Sequence, residues 1–286
     1  MPIELDIVVS HRAQCGEGPV WDAESGTVVS VDIMTGEIFR SAFPSGETTG
    51  ITYPTWVGAA APRVGGGFVA AVTTGLVGLD EQGSVTHRAD CLPEGVRFND
   101  AKVGANGIFW AGSCAMDFAA GKGGFWRLDA SWEPELVIPG LQQPNGLGWS
   151  PDGRTLYLIE TQVKQVWSFP FDPATSRILH TTPTVVVDAD QFAGYPDGLT
   201  IDTRGHLWIA EFGGAAVYEF APDGTKLQTI AIPTAQPTSC AFVGPNLDEL
   251  WVTSAAVGLD DDPNAGAIFR VTGLGATGID IPRFNG

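Results

Sequence analysis

One short pattern recurs along this chain and limits what it can fold into. A carboxylate or carboxamide stands beside a small residue and leads into a short apolar strand. A turn with Gly follows, then a second strand rich in aromatic and β-branched residues. RFNDAKVGANGIFWAGS from Arg97, PNGLGWSPDGRTLYLIET from Pro144 and PDGLTIDTRGHLWIAEF from Pro196 carry it in full. EGPVWDAESGTVVSVDI from Glu17 and PTSCAFVGPNLDELWVTSA from Pro237 have the same outline. The markers Asn99, Asn145, Asp197 and Ser239 are 46, 52 and 42 residues apart, and the 82 residues from Glu17 to Asn99 leave room for two units. Six units of about 48 residues match four-stranded propeller blades.

The stretches between the markers support this reading. Apolar runs such as TVVSVDI, GGFVAAVT, TGLVGLD, GGFWRLD, QVWSFPFD, AAVYEFA and AIFRVTG are strand-length, rich in β-branched and aromatic residues, and bounded by Gly, Asp, Asn or Pro. No window holds an i, i+3, i+4, i+7 apolar stripe, so helices are not expected. The first unit shows three strands between Gly18 and Phe43, and a lone strand, Ile3 to Ser10, precedes it. That lone strand is expected to supply the outer strand of the last blade and so close the ring. The expected fold is all-β: a six-bladed β-propeller with residues 1–286 as one domain.

Composition then narrows the partners. The 33 acidic and 15 basic residues give a net charge of -18, which argues against nucleic acid or an anionic membrane surface. No apolar run approaches the ~18 residues of a membrane span, and the N-terminal stretch does not read as a signal peptide. Cys15, Cys91, Cys114 and Cys240 lie far apart without a CxxC pair, which suits reduced thiols in a cytoplasmic protein. A small-molecule substrate is expected, on a monomer or weak homo-oligomer.

In a propeller, the first strand of each blade lines the central channel. Glu17, Asn99, Asn145 and Asp197 would then face one another across it. An isolated Asn-Gly or Asp-Gly is ordinary turn chemistry. Turn chemistry does not, however, require the polar residue to lead into an apolar strand in unit after unit. Two carboxylates and two carboxamides crowded together, badly solvated, call for a cation, and an all-oxygen set suits a hard or borderline divalent ion. Calcium comes first, with manganese, magnesium, zinc or iron as alternatives. Asp100 follows Asn99 and, on a strictly alternating strand, points away from the channel as a supporting residue. None of His11, His87, His180 and His206 falls at a channel mouth. No Ser sits in a G-x-S-x-G elbow. Trp110, Trp149, Trp208 and Trp251 are expected to pack between blades, and Trp21 and Trp56 to line the mouth. The Gly-rich AAGKGGF around Lys122 reads as a loop over the site.

The chain also resembles the senescence-marker protein (regucalcin), gluconolactonase and luciferin-regenerating family. GEGPVWD at Gly16, RFNDAKV at Arg97, PNGLGWS at Pro144, PDGLTID at Pro196, TSCAFVG at Thr238 and NAGAIFRVTGLGATG at Asn264 carry the likeness nearly end to end. It implies a six-bladed propeller with one divalent metal held by Glu17, Asn145 and Asp197. It implies Arg97 and Asn99 as substrate contacts, with Asn99 also within reach of the metal. Asp117 falls where animal members carry a substrate-contacting Glu, which implies a contact from a shorter acid. The family's reaction is hydrolysis of aldonolactones, with the metal as Lewis acid on the carbonyl. Asp197 is then either the general base or purely a ligand, and Arg97 either a substrate donor or half of a structural ion pair. Two alternatives stand beside the lactonase: a phosphotriesterase or other esterase on the same cradle, and a calcium-binding propeller whose cation is structural.

Overall fold

A computed structural model, describing residues 2–286, forms six antiparallel sheets whose first strands contact one another in a closed circle. The first five blades begin with Gly16–Asp22, Val57–Pro62, Val96–Gly104, Pro144–Trp149 and Tyr195–Ile201, each continued outward by its following strands. The sixth comprises Pro237–Val243, Glu249–Ser254 and Ile268–Thr272, and its outer strand is the N-terminal Glu4–Val9. Closure through the N-terminal strand is therefore as expected from the sequence. Two outer strands escape the sequence reading. Thr48–Thr52 completes the first blade, and Arg177–Ile178 pairs beside Thr184–Val187 on the third strand of the fourth. TTGIT is largely exposed and lacks apolar alternation, so nothing in its composition announces a strand.

The hydrophobic core is divided into six clusters, each filling the gap between two neighbouring blades. Trp110 packs with Leu147 and Leu158 between the third and fourth blades, Trp208 with Phe242 between the fifth and sixth, and Trp251 with Val28 between the sixth and first. Because apolar side chains are used up between blades, the axis is left to polar ones.

All six inner strands share one irregularity. Each carries one extra residue against its partner strand: between Glu17 and Val20, Val57 and Ala59, Phe98 and Ala101, Pro144 and Leu147, Pro196 and Leu199, and Pro237 and Ser239. A bulge of this kind re-aims side chains and breaks the two-residue alternation. Gly146 and Gly198, which follow the markers, lie inside strands rather than in left-handed turns. A Cβ on Gly146 would come within 2.5 Å of the Asp197 carbonyl, and one on Gly198 would strike Ser239. Glycine is present because the inner strands converge, so the turn explanation for these dipeptides does not apply.

The final stretch lies across the far end of the channel. Gly278 bridges to Asp202, Arg283 forms a bidentate pair with Asp22 at 2.8–2.9 Å, and Phe284 is fully buried between the second and third blades. No helix among the described residues is long and apolar enough to cross a membrane.

Candidate metal and substrate site

At the near end of the channel, where the inner strands begin, a cavity of about 430 Å³ opens. Glu17, Asn99, Asn145, Asp197 and Arg97 line it, and none is more than 8 % exposed. Their positions follow from the bulges, since each marker sits at or beside the extra residue of its strand.

Hydrogen bonds fix how the two amides point. Asn99 Nδ2 faces the Pro144 carbonyl at 3.3 Å, a group that only accepts. Thr161 Oγ1 donates its one hydrogen to the Pro196 carbonyl at 2.9 Å, so it accepts from Asn145 Nδ2 at 3.0 Å. Asn145 Nδ2 also donates to Asp197 Oδ1. Both amide oxygens are thereby left without a protein donor among the described residues. The same holds for Asp197 Oδ2, and for Glu17 Oε1, whose Oε2 accepts from the Gly18 backbone at 2.7 Å. Four side-chain oxygens, two of them on carboxylates, thus face the cavity without a protein donor among the described residues. Leaving such groups unsatisfied is costly, and a hard divalent cation satisfies all four. The residues present fit the expected ion.

The electrostatics agree. Burial pushes the Glu17 carboxyl well above the usual carboxylate range, and the nearby Asp197 and Asp100 push it further. Burial and then Asp100 raise Asp197, against the Asn145 amide and Arg97. Both acids need positive charge nearby to stay ionised at neutral pH.

Asp100 does not line the cavity, and its Oδ1 accepts from the Ala101 backbone at 2.7 Å. The strict alternation expected of its strand is nevertheless interrupted by the bulge spanning Phe98 to Ala101. Asp100 is 4 % exposed, lies in the field of Glu17 and Asp197, and is raised to about 6 by burial, with Lys102 opposing. Lys102 went unnoticed in the sequence. It is buried, and its Nζ donates to the Leu199 carbonyl of the fifth blade at 2.5 Å.

Arg97 forms no salt bridge among the described residues, so the ion-pair alternative finds no partner. Its guanidinium carbon lies 5.7 Å from the Trp56 ring and 5.9 Å from the Phe118 ring, and Nη1 donates to the Phe98 carbonyl at 2.9 Å. Phe118, held by a hydrogen bond from Gln142 to its carbonyl, lines the cavity wall. The AAGKGGF stretch expected over the site does not: none of its residues lines the cavity, and Gly123–Phe125 belong to the strand Gly123–Leu128. Asp117 stands apart: it is exposed, does not line the cavity, and accepts from the Ala119 backbone at 3.1 Å. Trp56 lines the cavity, but Trp21 does not. Four residues beyond Glu17 on the same strand carry Trp21 roughly 13 Å down the channel, toward the tail. There it packs edge-on against Phe43.

The opposite wall is apolar. Ile33, Met34, Val257 and Phe212 come from the segments at or after the second strands of the first, sixth and fifth blades. Cys15 also lines the cavity, its thiol pushed well up by burial and by Glu17 and Asp197. A separate group, Asp202, His206 and Glu219, has ligand atoms within 4.8 Å of one another on the fifth blade. Its carboxylates already accept from Arg204 and Trp208, which identifies an ion-pair network.

Comparison with known proteins places these features in context. A family model described as the SMP-30/Gluconolactonase/LRE-like region matches residues 15–256. Regucalcin of Sus scrofa is 33% identical over 291 residues, covering 97% of this chain and 97% of the relative. A luciferin-regenerating enzyme superposes with a TM-score of 0.92 at 29% identity, covering 99% of this chain and 100% of the other. Regucalcin from Agrobacterium tumefaciens, described as a calcium-binding protein, gives 0.91 at 29% identity, covering 97% and 96%.

Proposed function

Because the chain belongs to the SMP-30/gluconolactonase/LRE-like family, we propose that it is a metal-dependent hydrolase that opens sugar-acid lactones. The observation that carries this reading is the set of four donorless oxygens beside an unpaired, cavity-facing guanidinium. Glu17, Asn145 and Asp197 hold the ion, with Asn99 as a fourth ligand or a substrate contact. Calcium is the first choice for this oxygen set. When bound, the ion supplies Lewis acidity toward the lactone carbonyl.

The chain's own residues do the rest. Arg97, gripped between two aromatic rings, presents its remaining N–H groups to ring or hydroxyl oxygens of the substrate, charge-assisted bonds with directional preference. Asp197 has one oxygen tied to Asn145 and one free. The free oxygen would face the ion with one lone pair, and with the other it orients the attacking water, takes its proton and returns it to the departing ring oxygen. The Trp56 and Phe118 faces pack on the sugar ring and keep bulk water from the carbonyl.

The test is acid release from gluconolactone, xylonolactone and galactonolactone, followed with a pH indicator against the spontaneous rate, with and without chelator. Metal-dependent acceleration on at least one is expected; none on any of them removes the lactonase reading. The wall of Ile33, Met34 and Val257 favours a second reading, an ester with less hydroxylation, including a phosphotriester. A paraoxon-type substrate in the same assay decides between them. If the chelator unfolds the protein and no ester is turned over, the cation is structural.

A further inference from the structure

Behind the cradle, the inner strand of the third blade sends Lys102 across the channel to the inner strand of the fifth, where Nζ donates to the Leu199 carbonyl. The side chain is 8 % exposed, and no carboxylate lies within salt-bridge distance of it among the described residues. An ammonium buried with one neutral acceptor is poorly compensated by its contacts. Its placement supplies the rest: Lys102 stands two residues past Asp100 on one inner strand and reaches the carbonyl two residues past Asp197 on another. Asp100 first, then Cys240 and Glu17, oppose the effect of burial on it. Lys102 is thus a counter-ion to the axial carboxylates at a distance, without pairing with any of them.

We propose that the Lys102 ammonium sets how tightly the cradle holds its divalent ion, acting as a built-in positive charge on the far side of the carboxylates. This rests on the cation-binding reading above. In the ionised form that takes up the ion, Glu17, Asp197 and Asp100 bring three negative charges to the axis, and Arg97 and Lys102 bring two positive. The divalent ion then meets a cluster of net charge near -1 with Lys102 and near -2 without it, and it is repelled by the ammonium itself. The arrangement gives up affinity in order to keep the carboxylates compatible with one another when no ion is bound. A lysine that merely anchored the Leu199 carbonyl would leave ion affinity unchanged.

The experiment is calorimetric titration of calcium into the metal-stripped whole chain, repeated with manganese. Lys102→Met, which keeps the stem and removes the charge, is expected to tighten Kd on the order of tenfold. Lys102→Arg, which keeps the charge, should stay within about threefold of wild type. Lys102→Gln, which removes the charge but keeps an N–H for the Leu199 carbonyl, should tighten Kd similarly, and it answers the question even if Lys102→Met does not fold. Unchanged affinity in Lys102→Met, or in Lys102→Gln where that must stand in, overturns the inference and leaves the cradle intact. A wild-type chain that binds neither ion overturns both.

Discussion

Arg97→Met separates a working guanidinium from a structural one. Arg97 is 6 % exposed, uses one hydrogen bond on the Phe98 carbonyl and has no ion pair among the described residues. Methionine keeps the stem between Trp56 and Phe118 and makes its own sulfur–aromatic contacts. What is lost for folding is therefore cation–π attraction, about 1–2 kcal/mol across both rings, and the hydrogen bond to the Phe98 carbonyl, about 1 kcal/mol, offset by no longer burying a charge. With calcium saturating, urea unfolding is expected to change by less than about 1 kcal/mol in either direction. What is lost for the reaction is one or two charge-assisted hydrogen bonds at about 1.5–3 kcal/mol each. A loss of about 3 kcal/mol corresponds to roughly 150-fold in kcat/KM on gluconolactone. Arg97→Lys, with charge but no fork, should fall between. The reasoning fails if Arg97→Met costs more than about 3 kcal/mol of stability while kcat/KM stays within about threefold of wild type.

Three further outcomes follow. Asp197→Asn is expected to keep the circular dichroism of the wild type and lose at least about 100-fold in turnover; near-normal turnover at saturating metal would leave Asp197 as a ligand alone. Burial alone would raise Asp22, but the hydrogen bonds from Arg283 and Ser25 hold it below the usual carboxylate value. A depressed folded pKa stabilises above the unfolded pKa, about 3.9, and that stability is lost as pH falls through the lower folded value. The stability gap between wild type and Arg283→Gln should accordingly be present at pH 7 and shrink below about pH 4, and a gap constant down to about pH 2 contradicts the assignment. Phe284→Ala removes a fully buried ring that meets Trp132 at 5.3 Å and Phe109 at 6.3 Å. It should cost about 3–5 kcal/mol, read as a lowered Tm, with kcat/KM of the folded protein unchanged because the tail closes the other end of the channel; loss of activity without loss of stability would contradict this.

What the sequence made legible, and what it hid, depends on which order of structure carries the signal. The ring and its N-terminal closure were readable because blade spacing and strand composition are local properties repeated six times. The strand Thr48–Thr52 was hidden because an outermost strand has no apolar face to mark it. Glu17, Asn99, Asn145 and Asp197 were identifiable as a set because they recur in phase, and the structure gathers them on one cavity. Asp100 lies off the cavity, as read, although the alternation behind that reading is broken where the strand bulges. Lys102, between Ala101 and Val103, looks like any solvent-facing strand lysine until the strands are arranged around an axis. Ile33, Met34 and Val257 come from loops whose sequences share nothing with one another, so the apolar wall had no pattern to show.

The bulge also separates what belongs to the architecture from what belongs to the site. All six inner strands have it, yet only four place a carboxylate or carboxamide there. The second blade has Val57 and Gly58, and a Cβ on Gly58 would come within 2.6 Å of the Asn99 carbonyl. The sixth has Thr238, whose hydroxyl is taken up by the Gly16 carbonyl and by Thr253. A feature needed only for ion binding would be absent from blades that bind nothing. Its presence there shows that convergence of the strands at the axis demands it, and that four cavity-lining carboxylates and carboxamides occupy positions it creates. Substitutions at Gly58 and Thr238 are therefore expected to act on the packing of the ring, and those at Glu17, Asn99, Asn145 and Asp197, on the proposed reading, on ion affinity.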